Sequence, residues 1–306
     1  MDVYLPIANL AVNGLVIILL GLGTGILSGI FGVGGGFLTT PLLIFYGIPP
    51  TAAAASAATQ VTGASVSGVF AQARNKGVDY QLGGMTVAGG IMGALLGSLI
   101  FNLLQSIGQI DTVINVLYVL LLGTIGSLMG RESIQAIRAD RQGGGGKPRA
   151  AKRRHHPLVA SLPWRWRFYR SGLYISPLAP ILLGVVVGIL TMLMGVGGGF
   201  IMVPAMLYIL GMSARVVVGT SLFVILFVTM SVTMTHALTT KAVDIVLAGL
   251  LLLGSVIGAQ LGTRIAGFAK PEVLRLLLAA VVLAMAIRLA IGLGVIPDEI
   301  YTVVPL

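Results

Sequence analysis

The residues of this chain best placed to do chemistry are glycines. Residues 32–37 read GVGGGF and residues 195–200 read GVGGGF again, each followed four positions after its phenylalanine by a proline, Pro41 and Pro204. Three adjacent glycines inside apolar sequence break a helix, because glycine is entropically poor there and exposes its backbone. At membrane depth such freed backbone groups are tolerated only where protein or a water-filled cavity meets them. A helix that restarts after the break presents free N–H groups and the positive end of its dipole. That terminus can hold an anion with no buried lysine or arginine. Two copies of the device predict one shared site between them. The competing reading is that the glycines only let helices pack closely. Packing is what we expect of the glycines spaced by four, Gly89–Gly93–Gly97 and Gly254–Gly258–Gly262.

Hydroxyl and amide side chains gather around and after each break: Thr39, Thr40, Ser56, Thr59, Gln60, Thr62 and Ser65 in the first half, Thr220, Ser221, Thr229, Ser231, Thr233 and Thr235 in the second. Such hydroxyls bond either their own helix or a ligand. Ser56 and Thr220 stand at corresponding places, which favours a site. Gln60 has Val224 opposite it in the other half, so recognition there is expected to be asymmetric. His236 is the one histidine in a hydrophobic segment; it either titrates during a transport cycle or is a satisfied interfacial side chain. The acids, Asp79 and Asp244 among them, all fall in loops or at span ends, so no carboxylate stands mid-membrane and a cation pore is disfavoured. No cysteine is present, and the histidines are too few and too scattered for an obvious metal site; no catalytic residue, metal or cofactor is expected.

The elements that must hold these residues are membrane helices. The chain has 306 residues, 57% hydrophobic and 9% charged, against roughly 25% charged for a soluble domain. Apolar stretches long enough to cross the bilayer are predicted at 7–31, 51–73, 82–104, 111–129, 177–196, 214–238, 245–266 and 272–296, with shorter pieces at 37–46 and 200–210 after the glycines. Further landmarks repeat: KGVD at 76–79 against KAVD at 241–244, and GIMGALLG at 90–97 against SVIGAQLG at 255–262. The expected fold is therefore an all-α polytopic membrane protein of two homologous repeats, four to five segments each, with glycine-broken helices. Residues 1–130 form the first repeat, 131–172 a basic linker and 173–306 the second. The net charge of +10 comes mostly from the linker, which the positive-inside tendency places in the cytoplasm. This distribution argues for lipid rather than nucleic acid as the partner. If the short pieces cross, each repeat has five crossings and the repeats are inverted; if they re-enter, each has four and the repeats run parallel, and the charge distribution favours the inverted version.

GILSGIFGVGGGFLTTPLLIFYGI and its echo GILTMLMGVGGGFIMVPAMLYILGM, with VVVGTSLFVILF and GSVIGAQLGTRIA, resemble the TauE/SafE sulfite exporter family. The likeness covers both hydrophobic halves. It implies a multi-pass carrier of the bacterial inner membrane for small sulfur-containing anions such as sulfite or organosulfonates, commonly in the export direction, and not an enzyme. Carried onto this chain, it points to Gly34, Gly35, Gly36, Phe37 and Pro41, to Gly197, Gly198, Gly199, Phe200 and Pro204, and to Thr220 and Ser221. With Thr40, Ser56, Thr59, Gln60 and His236 these are the expected substrate contacts. The first repeat reads AAS at 54–56 where the second reads GTS, so the half-sites are not equivalent. Rocking of one repeat against the other is the expected mechanism; an anion channel and a non-transporting scaffold are the alternatives. Coupling to protons or sodium and a homodimeric state stay open.

Overall fold

The structure, a computed structural model, describes residues 2–31, 35–74, 77–141, 166–266 and 271–294. Its body is all helical. A hairpin of β1 (Asp2–Leu5) and β2 (Leu10–Asn13) leads into α1 (Gly14–Phe31), α2 (Gly36–Phe45), α3 (Pro50–Arg74), α4 (Tyr80–Ser106) and α5 (Ile110–Arg141). A second hairpin, β3 (Trp166–Phe168) and β4 (Leu173–Ile175), leads into α6 (Leu178–Met194), α7 (Gly199–Tyr208), α8 (Ala214–Thr235), α9 (Ile245–Ala266) and α10 (Pro271–Gly294), with a π-helical turn at His236–Thr240 after α8. Both halves thus run hairpin, helix, short helix, then three longer helices.

Two boundaries differ from expectation for local reasons. The first span does not begin at Ile7. Pro6 and Asn9 close a turn instead, with the Asn9 N–H on the Leu5 carbonyl and Asn9 at φ 54, a conformation asparagine tolerates. At the other end of the first half, α5 continues past 130 into the basic segment as far as Arg141. Residues 142–165 of that segment lie outside the described residues.

Glycine seams join the halves. Gly21 and Gly25 of α1 face α9 so closely that a β-carbon would lie 2.5 Å from the Leu251 carbonyl oxygen and 2.7 Å from the Ser255 Cα. Gly254, Gly258 and Gly262 abut the α1 backbone from the other side. Residue numbers rise together along the seam, so the two helices are parallel. The α4–α6 seam is built the same way: Gly89 and Gly93 meet the backbone at Ile181 and Val185, and Gly184 and Gly188 meet it at Thr86 and Gly90. The first helix of each half therefore packs on the fourth helix of the other, while α3 pairs with α8 and α5 with α10. Small residues let backbones approach without a hydrophobic drive from water.

Chain direction follows from the ends. The Asn13 N–H meets the Tyr46 hydroxyl at 3.2 Å, so α2 returns the chain to the level at which α1 began. At the opposite face Arg170 donates to the Val78 carbonyl and Tyr208 to Glu132. Exposed Arg74, Arg131, Arg138, Arg167, Arg170 and Arg264 lie on this second face; Lys241 lies on the first, as does Arg288, whose guanidinium covers the Phe45 ring. Among the described residues five helices, α4, α5, α8, α9 and α10, are long and apolar enough to cross a membrane, and their outer faces carry bare side chains such as Leu99, Leu120 and Leu253.

Candidate functional site

Each short helix starts within its glycine motif and has a proline as its sixth residue. Proline has no N–H to offer the carbonyl four residues back, so the Phe37 and Phe200 carbonyls lose that partner. Neither helix has a side-chain cap at its N-terminus. The two starts meet at the centre of the molecule. Phe37 and Phe200, both buried, stack with ring centroids 4.2 Å apart and planes 3° from parallel. A β-carbon on Gly36 would lie 2.9 Å from the Val196 carbonyl oxygen and 3.0 Å from that of Gly195. Gly195 in turn lies against the Ala54 carbonyl of α3. Val61 of α3 fills the notch between the motifs, 2.6 Å from a β-carbon built on Gly36 and 2.5 Å from one built on Gly197. Sequence order alone had suggested the pair of breaks; the phenylalanine stack is what joins them. Gly34 lies outside the described residues.

Threonines line the seam between α3 and α8. The hydroxyls of Thr62 and Thr229 meet at 2.9 Å and those of Thr59 and Thr233 at 3.4 Å. Thr59, Thr62 and Thr229 each also reach the carbonyl four residues back in their own helix, as Thr39 and Thr40 do in α2. Gln60 is buried beside them, and its Oε1 has no hydrogen-bond partner.

Ser56 and Thr220 are equivalent, as expected, but they stand far from each other at opposite faces. The Ser56 hydroxyl accepts the N–H of Asp244 at 3.2 Å, and the Thr220 hydroxyl accepts that of Asp79 at 3.0 Å. The two aspartates explain the repeated KxVD signature. Asp79 Oδ1 caps α4 through the N–H groups of Gln81 and Leu82, while its Oδ2 takes the Ser171 N–H and hydroxyl from the β3–β4 turn. Asp244 Oδ1 caps α9 through Val246 and Leu247, and its Oδ2 takes the Ile7 N–H from the β1–β2 turn. Each carboxylate is buried and ties one half's fourth helix to the other half's hairpin. Ser221 turns back to the Val218 carbonyl.

His236 is fully buried in the π-helical turn. Its Nε2 reaches the Met192 carbonyl at 3.0 Å and its Nδ1 the Thr240 hydroxyl at 3.0 Å, with the ring edge on Phe101. A carbonyl can only accept, so Nε2 carries the proton. Tyr118, which sequence reasoning passed over, does a parallel job: its hydroxyl donates to the Met194 carbonyl at 2.6 Å. Together they satisfy two of the carbonyls that α6 leaves free where it stops before Gly195. The available signal was a tyrosine in the middle of an otherwise apolar span.

Comparison with known proteins agrees with this architecture. The family model described as Sulfite exporter TauE/SafE matches residues 17–289. The chain is 30% identical over 274 residues to the probable membrane transporter protein YjnA of Bacillus subtilis (strain 168), covering 89% of this chain and 98% of that one. It is 26% identical over 264 residues to the probable membrane transporter protein YunE of the same organism, covering 82% and 87%. No solved structure matches it. With nearly the whole chain matched and helices fit to cross a bilayer, the protein belongs to the TauE/SafE sulfite exporter family and is a multi-pass membrane transporter.

Proposed function

We propose that this chain is a secondary transporter that exports small sulfur-containing anions, sulfite or organosulfonates, across the bacterial inner membrane by alternating access. The reading rests on the meeting of two uncapped helix starts at the Phe37–Phe200 stack. Helix N-termini favour anions without the desolvation cost of a buried cationic side chain. The family's description as a sulfite exporter supports the sulfur chemistry and the export direction of this reading. The reciprocal packing of the halves supports inverted repeats, and both the arginine-rich face and the basic segment 131–172 are assigned to the cytoplasm.

The seams also bear on what moves. Rocking of one intact repeat against the other would tear the α1–α9 and α4–α6 backbones apart, and those surfaces tolerate no gap filled by a side chain. The bodies in this reading exchange their fourth helices: β1–β2 and α1–α3 move with α9, and β3–β4 and α6–α8 move with α4. Each aspartate latch then lies inside one body, and the α3–α8 threonines and the phenylalanine stack lie between bodies.

Flux in proteoliposomes tests the function. A carrier gives saturable sulfite or sulfonate flux with counterflow. Flux that does not saturate, with no counterflow, would make the protein a channel, and no flux with any of sulfite, thiosulfate, sulfoacetate or taurine would leave it a scaffold.

A further inference from the structure

Four buried side-chain oxygens among the described residues have no hydrogen-bond partner: Gln60 Oε1, Ser65 Oγ, Asn115 Oδ1 and Ser133 Oγ. The last two stand on α5, more than four helical turns apart. The first two lie five residues apart on α3 and bracket Val61, the residue wedged between the two glycine motifs. Gln60 and Ser65 are 1% and 2% exposed, so bulk water does not satisfy them. A serine inside a helix ordinarily donates to the carbonyl four residues back, as the neighbouring Thr59 and Thr62 do; Ser65 does not.

Helical geometry orients both residues. Ser65 is one turn beyond Val61 on the face that meets the glycines. Gln60 is at the depth of Val61, on the face carried seven residues earlier by Ala53, which clusters with Leu43 of α2 and Leu247 and Leu251 of α9. Its amide therefore points between α2 and α9, toward the side of the first repeat's break. Among the described residues the second repeat has no unpaired buried side-chain oxygen of this kind. The counterpart of Gln60 is Val224, fully buried and apolar, and the counterpart of Ser65 is Thr229, whose hydroxyl is already used by Ile225 and Thr62. A polar atom buried without a partner costs free energy in the empty protein, and a ligand that pairs with it recovers that cost.

Resting on the transport reading above, we propose that Gln60 and Ser65 are the selective contacts of the pathway. The solute then binds on the first repeat's side of the Phe37–Phe200 stack rather than on the pseudo-symmetry axis. The Gln60 amide offers an acceptor in Oε1 and donors in Nε2, so the solute it matches best is a sulfur oxyanion that also carries a donor, a hydroxyl or an ammonium group. Taurine has such a donor and methanesulfonate does not.

Thermal shift on the purified full chain separates the outcomes, with sulfite, taurine and methanesulfonate as probes on the wild type, Gln60→Leu and Ser65→Ala. The expected result is stronger stabilisation by taurine than by methanesulfonate in the wild type. Each substitution leaves the ligand-free Tm unchanged or raised and weakens taurine binding about tenfold, and Gln60→Leu removes the preference for taurine. Wild-type binding that both variants reproduce would assign these atoms to buried water and overturn the proposal while leaving the transport reading intact. A lowered ligand-free Tm with unchanged affinity would also overturn it, by making the residues structural. No stabilisation of the wild type by any sulfur anion would count against the transport reading itself, and the proposal would fall with it.

Discussion

Residues 32–37 and 195–200 share six letters, yet the helices they open begin differently. Gly198 precedes α7 at φ 71 and ψ −13, in the left-handed region, while Gly35 precedes α2 at φ −68 and ψ −11, in the right-handed one. Glycine permits both, so the surroundings decide. A β-carbon on Gly198 would lie 2.4 Å from the Val187 side chain of α6, whereas one on Gly35 would meet the Thr24 carbonyl oxygen at 3.2 Å and the Ser28 Cβ at 3.6 Å. The same imbalance runs through the helices behind them, since α3 carries Gln60 where α8 carries Val224. The same six residues occur twice, and their neighbours make the two helix starts unequal.

Substitution at the hinges should break the comparison most visibly. Gly198→Ala should destabilise the protein by about 2–4 kcal/mol, from left-handed strain and crowding against α6. Gly35→Ala should stay within about 1 kcal/mol. Thermal or chemical denaturation in detergent checks both, and equal losses would mean the two starts are alike. The aspartate latches come next. Asp79→Ala loses a cap and strands the Ser171 N–H, about 2–4 kcal/mol. Asp244→Ala has one partner fewer to lose and should cost somewhat less by the same measurement.

The proposed moving bodies can be sharpened by crosslinking, helped by the absence of cysteine from the chain. Oxidation of Thr62→Cys with Thr229→Cys ties α3 to α8 across the bodies and should arrest flux until reductant is added. A short thiol-reactive spacer between Tyr80→Cys and Phe223→Cys, whose rings touch at 5.5 Å within one body, should leave flux unchanged. The reverse pattern would restore the repeats as the rigid units. The smallest effect is expected of Tyr118→Phe, which leaves the Met194 carbonyl unpaired for about 1 kcal/mol, read as a modest loss in Tm.

The helix breaks and the packing glycines were legible in the sequence because each is a spacing rule. A glycine every fourth residue marks one face of a helix, and a triple glycine marks its end. The exchange of fourth helices was not legible, since Gly93 in sequence announces a close neighbour without saying which. Ser56 and Thr220 were recognisable as partners in symmetry, but their job at the aspartate latches depends on hairpins that the apolar run 7–13 concealed. Ser65 was visible as one hydroxyl among several and Tyr118 as a polar ring in a span, but their roles were not: one is notable for a bond it fails to make, the other for a bond to another element's end.

Titration calorimetry with sulfite reads the main premise directly, because it counts sites. One anion should bind per chain, with affinity reduced both by Phe37→Leu and by Phe200→Leu, since both rings close the same place. Two independent anions per chain, or binding that ignores one of the two substitutions, would contradict it.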